Sequence, residues 1–261
     1  MDYTDIEVEH RGHVSWLWLN RPDQMNAMRA NTMVELKHAF ETLGARDETR
    51  VIMFSGRGRG FCAGADLKSD GATEGDATPI MRFLVAATDM ETSLYAVEKP
   101  IVAVVNGICM AGGLEMALMC DFIVASKTAK IGDGHLNFGA MPGGGSSVRL
   151  PRIVGSGVAK FLMYSGRTMR AEALVPLGLV AEVYEPEETE AGAQKLAEEI
   201  AAKSPLGLRT VKWLIDGGAD QPLPQALKTE KLAAGQYLTS YDAAEGARAF
   251  AEKRAPEFQG R

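Results

Sequence analysis

Two short stretches carry residue types suited to chemistry: FCAGADL at 61–67 and NGICMAGGLEMALMCD at 106–121. In each, small residues follow an apolar run and leave peptide N–H groups open to close approach by a ligand. Ala63-Gly64-Ala65 forces a turn after the run at 50–56, and Asp66 is placed to cap a following helix. Ala111-Gly112-Gly113 follows the run at 101–105 and leads straight into LEMALMC, with Glu115 in the first turn. Two converging N–H groups, one at a helix start, suit a developing oxyanion. A carboxylate one turn along is the complementary acid or base, so the pattern points to chemistry on a carbonyl compound. Glu115 alone could be a helix-dipole carboxylate, worth a few tenths to about 1 kcal/mol. Its apolar neighbours Leu114, Met116, Ala117 and Leu118 instead favour a buried, functional carboxyl group. Downstream, KIGDGHLNFG (130–139) holds His135, whose ordinary pKa near 6.5 suits proton transfer at neutral pH. Asp133 either orients that imidazole or faces solvent.

The elements that must position these groups alternate in type. IEVEH (6–10) and VSWLWLN (14–20) read as an opening hairpin around Arg11-Gly12. Asn31 precedes a helical pattern with Met33, Leu36, Phe40 and Leu43 on one face. RVIMFSG (50–56), IVAVVNG (101–107) and DFIVAS (121–126) read as buried strands, so an α/β domain with mostly parallel pairing is expected. Segment 69–79, poor in large apolar residues, is expected to be a mobile surface loop. From about 186 the pattern is helical, with Pro205, Pro222 and Pro224 at helix starts and Gly217-Gly218 at a helix end. The expected organisation is a core over 1–185 and a helical subdomain over 186–261.

Composition narrows the function classes. The chain has 261 residues, 46% hydrophobic and 24% charged, as in ordinary globular proteins. Its net charge of −6 argues against a nucleic-acid surface as its main business. No apolar run reaches the ~20 residues that span a bilayer, and the acidic start runs directly into a strand, so a cytoplasmic location is expected. Cys62, Cys109 and Cys120 have no metal-like pairing and fit reduced thiols. SGRGRG (55–60) lacks the dinucleotide spacing, PGGG (142–145) lacks the Lys of a phosphate loop, and His10, His13 and His38 form no ligand set.

The strings LNRPDQMNAM (19–28), RGFCAGADL (59–67), PIVAVVNGICMAGGLEMALMCD (100–121), FGAMPGGGSSVRLPRIVG (138–155) and EGARAFAEKRAPEF (245–258) resemble the crotonase superfamily, the enoyl-CoA hydratase/isomerase family. They occur in that family's order and spacing over nearly the whole chain. The resemblance implies a spiral core of ββα units with a C-terminal helical subdomain that covers the site and supports oligomerisation. It implies an acyl-CoA thioester as substrate and no separate cofactor, since coenzyme A arrives within the substrate. By position, the N–H groups of Ala65 and Gly112 would form the oxyanion hole for a thioester enolate. Ala27, Met28, Ala63, Asp66 and Leu67 would line the adenine and pantetheine path. Phe250 and Lys253 would reach the CoA of a neighbouring subunit, in a homotrimer or a dimer of trimers.

Glu115 matches the first glutamate of the hydratase pattern, whereas the second is replaced here by His135. The expected activity is reversible addition of water to a 2,3-enoyl-CoA, with Glu115 and His135 sharing proton transfer. The alternative is hydrolysis of a β-keto acyl-CoA, or double-bond isomerisation, with His135 as acid or base. A non-catalytic CoA- or RNA-binding relative is a remote third reading, because the first helix sets Lys37 against Glu35 and Glu41. Met81, Phe83 and Leu84 of PIMRFLVAATDM (79–90) are expected to shape the acyl end of the pocket for a hydrophobic group.

Overall fold

The computed structural model describes residues 1–66 and 78–261. The loop expected over 69–79 lies outside the described residues up to 77, and a helix begins at Thr78. The chain opens with β1 (Ile6–Arg11) and β2 (Val14–Leu19), paired antiparallel as the hairpin pattern predicts. Then follow α1 (Ala30–Ala45), β3 (Val51–Gly56), β4 (Gly60–Cys62), α2 (Thr78–Tyr95), β5 (Ile101–Val105), β6 (Ile108–Met110) and α3 (Gly112–Met119). Next come β7 (Phe122–Ser126), β8 (Lys130–Gly132), α4 (Ser146–Ser165), β9 (Met169–Arg170), α5 (Ala171–Leu174) and β10 (Glu182–Tyr184). Four helices finish the chain: α6 (Thr189–Ala201), α7 (Pro205–Gly218), α8 (Leu223–Tyr237) and α9 (Tyr241–Glu252).

Two sheets share these strands. One has the order β1-β2-β3-β5-β7-β10 and is parallel from β2 onward; the other has the order β4-β6-β8-β9. Three successive pairs, β3/β4, β5/β6 and β7/β8, each give a longer strand to the first sheet and a three-residue strand to the second. A helix follows each pair, so the core is a spiral of ββα units. The second sheet is absent from the sequence reading because three residues are too few to display a period.

Alternation along β2 sets the two faces of the larger sheet. Leu17 and Leu19 join the main core, where Phe54 packs edge-to-face between Phe40 and Phe61 at centroid distances of 5.9 and 5.3 Å. Val14, Trp16 and Trp18 face the other way, onto Ala193, Ala197 and Ala201 of α6. The i, i+4, i+8 alanine stripe lets α6 lie close over the stacked indoles of Trp16 and Trp18. Thus α6 is part of the core layer, and α7 to α9 lie beyond it. Ser204 and Ser240 cap α7 and α9, accepting from the N–H groups of Gly207 and Ala243.

The N-terminal segment is tied to α1 by buried carboxylates. Glu35 accepts from the backbone N–H groups of Thr4, Asp5 and Ile6. Burial alone would raise the Asp5 pKa, but bonds from Arg29 and Thr32 outweigh it and hold the group at about 2. Arg29 precedes α1, so this ion pair anchors the strip 27–29 that runs past the site.

Phe54→Ala removes the middle ring of the aromatic ladder and should lower unfolding free energy by roughly 3–5 kcal/mol, read as the shift of a urea denaturation midpoint.

Candidate active site

The short strands β4, β6 and β8 deliver the chemistry. They pair in parallel, with Cys62 opposite Cys109 and Met110 opposite Gly132, so their carboxyl ends open on the same side. Such ends are where α/β layers bind ligands. Gly64-Ala65 follows β4, Ala111-Gly112 and α3 follow β6, and Asp133 and His135 follow β8.

Ala65 forms a single parallel bridge with Met28. In it the Met28 N–H donates to the Gly64 carbonyl and the Asp66 N–H donates to the Met28 carbonyl, each at 2.8 Å. Extended chain alternates its polar groups, so the N–H of Ala65 itself points away from that bridge. Gly112 lies on that other side: a Cβ placed on it would stand 3.5 Å from the Ala65 nitrogen and 3.2 Å from Met28 Cε. Gly112 is the first residue of α3, where an N–H has no intrahelical acceptor. Among the described residues, neither the Ala65 nor the Gly112 N–H has a backbone acceptor. Two free donors and a helix N-terminus therefore meet at one point, an arrangement able to hold an anionic oxygen.

This approach demands unusual backbone. A Cβ on Gly113 would lie 2.2 Å from the Cys62 carbonyl oxygen, so α3 starts pressed against the end of β4. Ala111, at φ 49° and ψ −118°, makes the turn into α3 in a conformation that favours glycine.

Glu115 is buried within α3, as its apolar neighbours imply. Its Oε1 accepts from the backbone N–H groups of Gly144 at 2.8 Å and Ser146 at 3.3 Å. Its Oε2 faces His135 Nε2 at 3.6 Å. On the far side of the imidazole, Nδ1 lies 2.9 Å from Asp133 Oδ1. Asp133 is 1% exposed, and its Oδ2 accepts from Ser146 Oγ at 2.5 Å. The alternative of a solvent-facing aspartate is therefore excluded. Asp133, through its hydrogen bond, and then Glu115 raise the His135 pKa to about 9 against the opposing effect of burial. Burial would raise the Asp133 pKa, but hydrogen bonds from His135 and Ser146 hold its carboxyl below the usual range. The site thus presents a cationic imidazole between two carboxylates at neutral pH. Among the described residues no group of three His, Cys, Asp or Glu is arranged to hold a metal ion.

Comparison with known proteins adds to this geometry. Residues 9–261 match the family model described as enoyl-CoA hydratase/isomerase. The chain belongs to the enoyl-CoA hydratase/isomerase family. It is 34% identical to a crotonyl-CoA hydratase of Syntrophomonas wolfei over 259 residues, covering 99% of each chain. It is 31% identical to a short-chain-enoyl-CoA hydratase of Clostridium acetobutylicum over 255 residues, covering 97% of each. Among solved structures, an enoyl-CoA hydratase from Bacillus anthracis superposes with a TM-score of 0.93 at 33% identity, covering 99% of this chain and 100% of that one.

Around this enoyl-CoA hydratase/isomerase core, the other residues singled out in the sequence divide into groups. Ala27, Met28, Ala63 and Asp66 border Ala65: the Ala63 N–H donates to Met25, and the Asp66 carboxylate pairs with Arg21 at 2.9 Å. Leu67, and the start of any helix that Asp66 would cap, lie outside the described residues. Phe250 and Lys253 are exposed on and just after α9. Among the described residues no hydrogen bond, ion pair or ring contact joins them to the cluster. Leu84 sits beside the loop that holds Glu115, its Cδ2 3.4 Å from where a Cβ on Gly143 would stand. Met81 instead lines a groove between α1 and α2 with Val34, Lys37 and Val85, and Phe83 packs on the core.

Ser146, the Gly144 amide and Asn26 escaped the sequence reading. Asn26 is buried at φ 56° and donates to the Arg57 and Gly60 carbonyls, fixing the strip that pairs with Ala65. Its place in LNRPDQMNAM was visible; its Oδ1 accepts from the nearby Arg21 N–H, but the two carbonyls that its NH2 holds are over thirty residues away and leave no local spacing signal. Cys62, directly before the first turn, is fully buried, and burial pushes its thiol up to about 12. Burial likewise raises the thiols of Cys109 and Cys120.

Ala111→Gly should relieve the backbone strain and raise unfolding free energy by about 1 kcal/mol, measured by urea titration. In ¹⁵N-histidine NMR, the His135 ring should remain doubly protonated at pH 8 and titrate with a midpoint near 9. A midpoint near 6.5 would show that the carboxylates do not hold the proton.

Proposed function

We propose that this chain is an enoyl-CoA hydratase, adding water reversibly to the 2,3-double bond of an acyl-CoA thioester. The observation that carries this reading is the convergence of the free Ala65 and Gly112 N–H groups beside Glu115 and His135. The hydratases named above, matched over nearly their full lengths, support it. In the hydration direction Glu115 takes a proton from water as the water oxygen bonds to Cβ. The π electrons move onto the thioester oxygen, and the Ala65 and Gly112 N–H groups stabilise that enolate. The enolate collapses as Cα takes a proton from His135 Nε2. Glu115 then returns its proton to the neutral imidazole across their contact, and the net change is one added water. The reaction is redox-neutral and uses no cofactor beyond the CoA already in the substrate.

Ala27, Met28, Ala63 and Asp66 border the path of the CoA moiety in this reading. Exposed Leu136, Phe138 and Met141 near the site, together with Leu84, suit a hydrophobic acyl group. Exposed Trp213, Ile215, Leu232, Leu238 and Phe250 on the C-terminal helical region support a homotrimer or a dimer of trimers. In such an assembly Phe250 and Lys253 reach a neighbour's CoA. This reading goes with a cytoplasmic location; no helix among the described residues is long and apolar enough to cross a membrane.

His135 supports a second reading, because a cationic imidazole also suits donation to the oxygen of a β-keto acyl-CoA during hydrolysis, or proton movement in isomerisation. Product analysis separates them: a 3-hydroxyacyl-CoA supports hydration, whereas two acyl fragments or a shifted double bond supports the alternative. Glu115→Gln keeps an acceptor for the Gly144 and Ser146 N–H groups but removes the base. It should lower kcat on crotonyl-CoA or a longer enoyl-CoA by about 100-fold or more. Near-wild-type turnover would overturn the role of Glu115.

A further inference from the structure

We propose that Asp133, held by Ser146, is a positioning residue that fixes His135 as the proton donor of the site, in an Asp133–His135–Glu115 relay. This deepens the hydratase reading and rests on it for the reaction, but not for the relay itself. The Asp133 carboxylate is buried and meets three donors: the Ser146 hydroxyl, the His135 backbone N–H at 3.2 Å, and His135 Nδ1. A carboxylate held below its usual pKa only accepts, so Nδ1 must carry hydrogen in this contact. The His135 backbone N–H, donating to the same Asp133 oxygen, closes a tight local turn that keeps the carboxylate beside the imidazole. The remaining ring nitrogen, Nε2, then faces Glu115.

The elements packed around the imidazole offer few other charges. Glu115 comes from α3 and Asp133 from the end of β8. The nearby charged residue of α4, Arg149, is engaged with Glu91 of α2 and with the Gly144 carbonyl. Met110 from β6 and Asn137 from the following turn add no charge: Met110 Cε packs near Gly134, and Asn137 donates to the Gly166 carbonyl. Two anions flanking one imidazole favour its charged form. Delivery of the Nε2 proton to Cα leaves a neutral ring with hydrogen still on Nδ1. Glu115, which holds the proton taken from water, is the adjacent source that restores Nε2–H. Asp133 keeps its charge throughout and gains no proton.

The test is Asp133→Asn, which keeps an amide oxygen to accept Nδ1–H while removing the charge; the amide NH2 then donates to the Ser146 hydroxyl oxygen. The wild-type hydration rate should hold until the pH approaches His135's midpoint and then fall, because the acid must be protonated. In Asp133→Asn this falling limb should move down by at least about one pH unit. At pH 7.5, kcat should drop about tenfold or more with KM changed by less than about threefold. Ser146→Ala keeps the charge and should leave the limb within about half a unit. In parallel, ¹⁵N-histidine NMR, assigned by His135→Gln, should show the same downward shift in Asp133→Asn without any need for turnover.

An unmoved His135 midpoint in folded Asp133→Asn overturns the proposal. So does the absence, in the unaltered protein, of a low-field Nδ1–H resonance assigned to His135. If the NMR shift occurs while no enoyl-CoA is hydrated by the unaltered protein, the relay stands and the hydratase reading fails.

Discussion

The whole site depends on the register of three parallel three-residue strands. Pairing β4 with β6 and β6 with β8 sets three chain crossings side by side, and each then leaves the sheet within a few residues of its neighbour. From the first exit comes the Ala65 amide. The second brings the Gly112 amide and, one helical turn on, Glu115. Asp133 and His135 follow the third. A slip of one residue in any pairing would turn side chains to the opposite face and break the cluster. The two sheets, the spiral and the flanking helices can be understood as the support that holds this register.

That support is dense in buried polar groups that accept backbone N–H bonds. Glu115 takes the amides of Gly144 and Ser146, Asp133 takes that of His135, and Glu35 takes three amides of the N-terminal segment. A carboxylate satisfied by fixed amides keeps its position without mobile counterions, the condition for electrostatic preorganisation. Arg149 extends the same principle outward. It joins α2 through Glu91 and Tyr95 to the Gly144 carbonyl, so α2 and the loop that binds Glu115 share one anchor.

Much of this was legible in the residues. The opening hairpin, the long strands at β3, β5 and β7, and the C-terminal helices follow from runs long enough to show a period or a cap. The paired small-residue turns and Glu115 were marked by composition: glycine where backbone approaches backbone, and an acid amid apolar neighbours. The second sheet was not legible, because its strands are two or three residues long and owe their existence to neighbours distant in sequence. The same holds for Ser146, whose partners are remote, and for the Asn26 NH2, which reaches the Arg57 and Gly60 carbonyls. The setting of Asp133 is not legible in the sequence, because burial, rather than spacing, decides between a solvated aspartate and a positioning one. Hydrophobicity alone puts Met81 at the acyl end, yet the rotation of α2 turns it toward α1.

Cys62 bears on a hazard of the proposed substrate. Thioesters transfer their acyl group readily to thiolates, and this sulfur stands three residues before an amide that would grip the thioester oxygen. Complete burial keeps it protonated across the physiological range and screens it from the reaction space, with the Gly64 N–H donating to it at 3.4 Å. The same close packing of α3 on β4 that brings the two amides together also seals this thiol underneath them. A site that activates an acyl group is thereby kept from acylating itself.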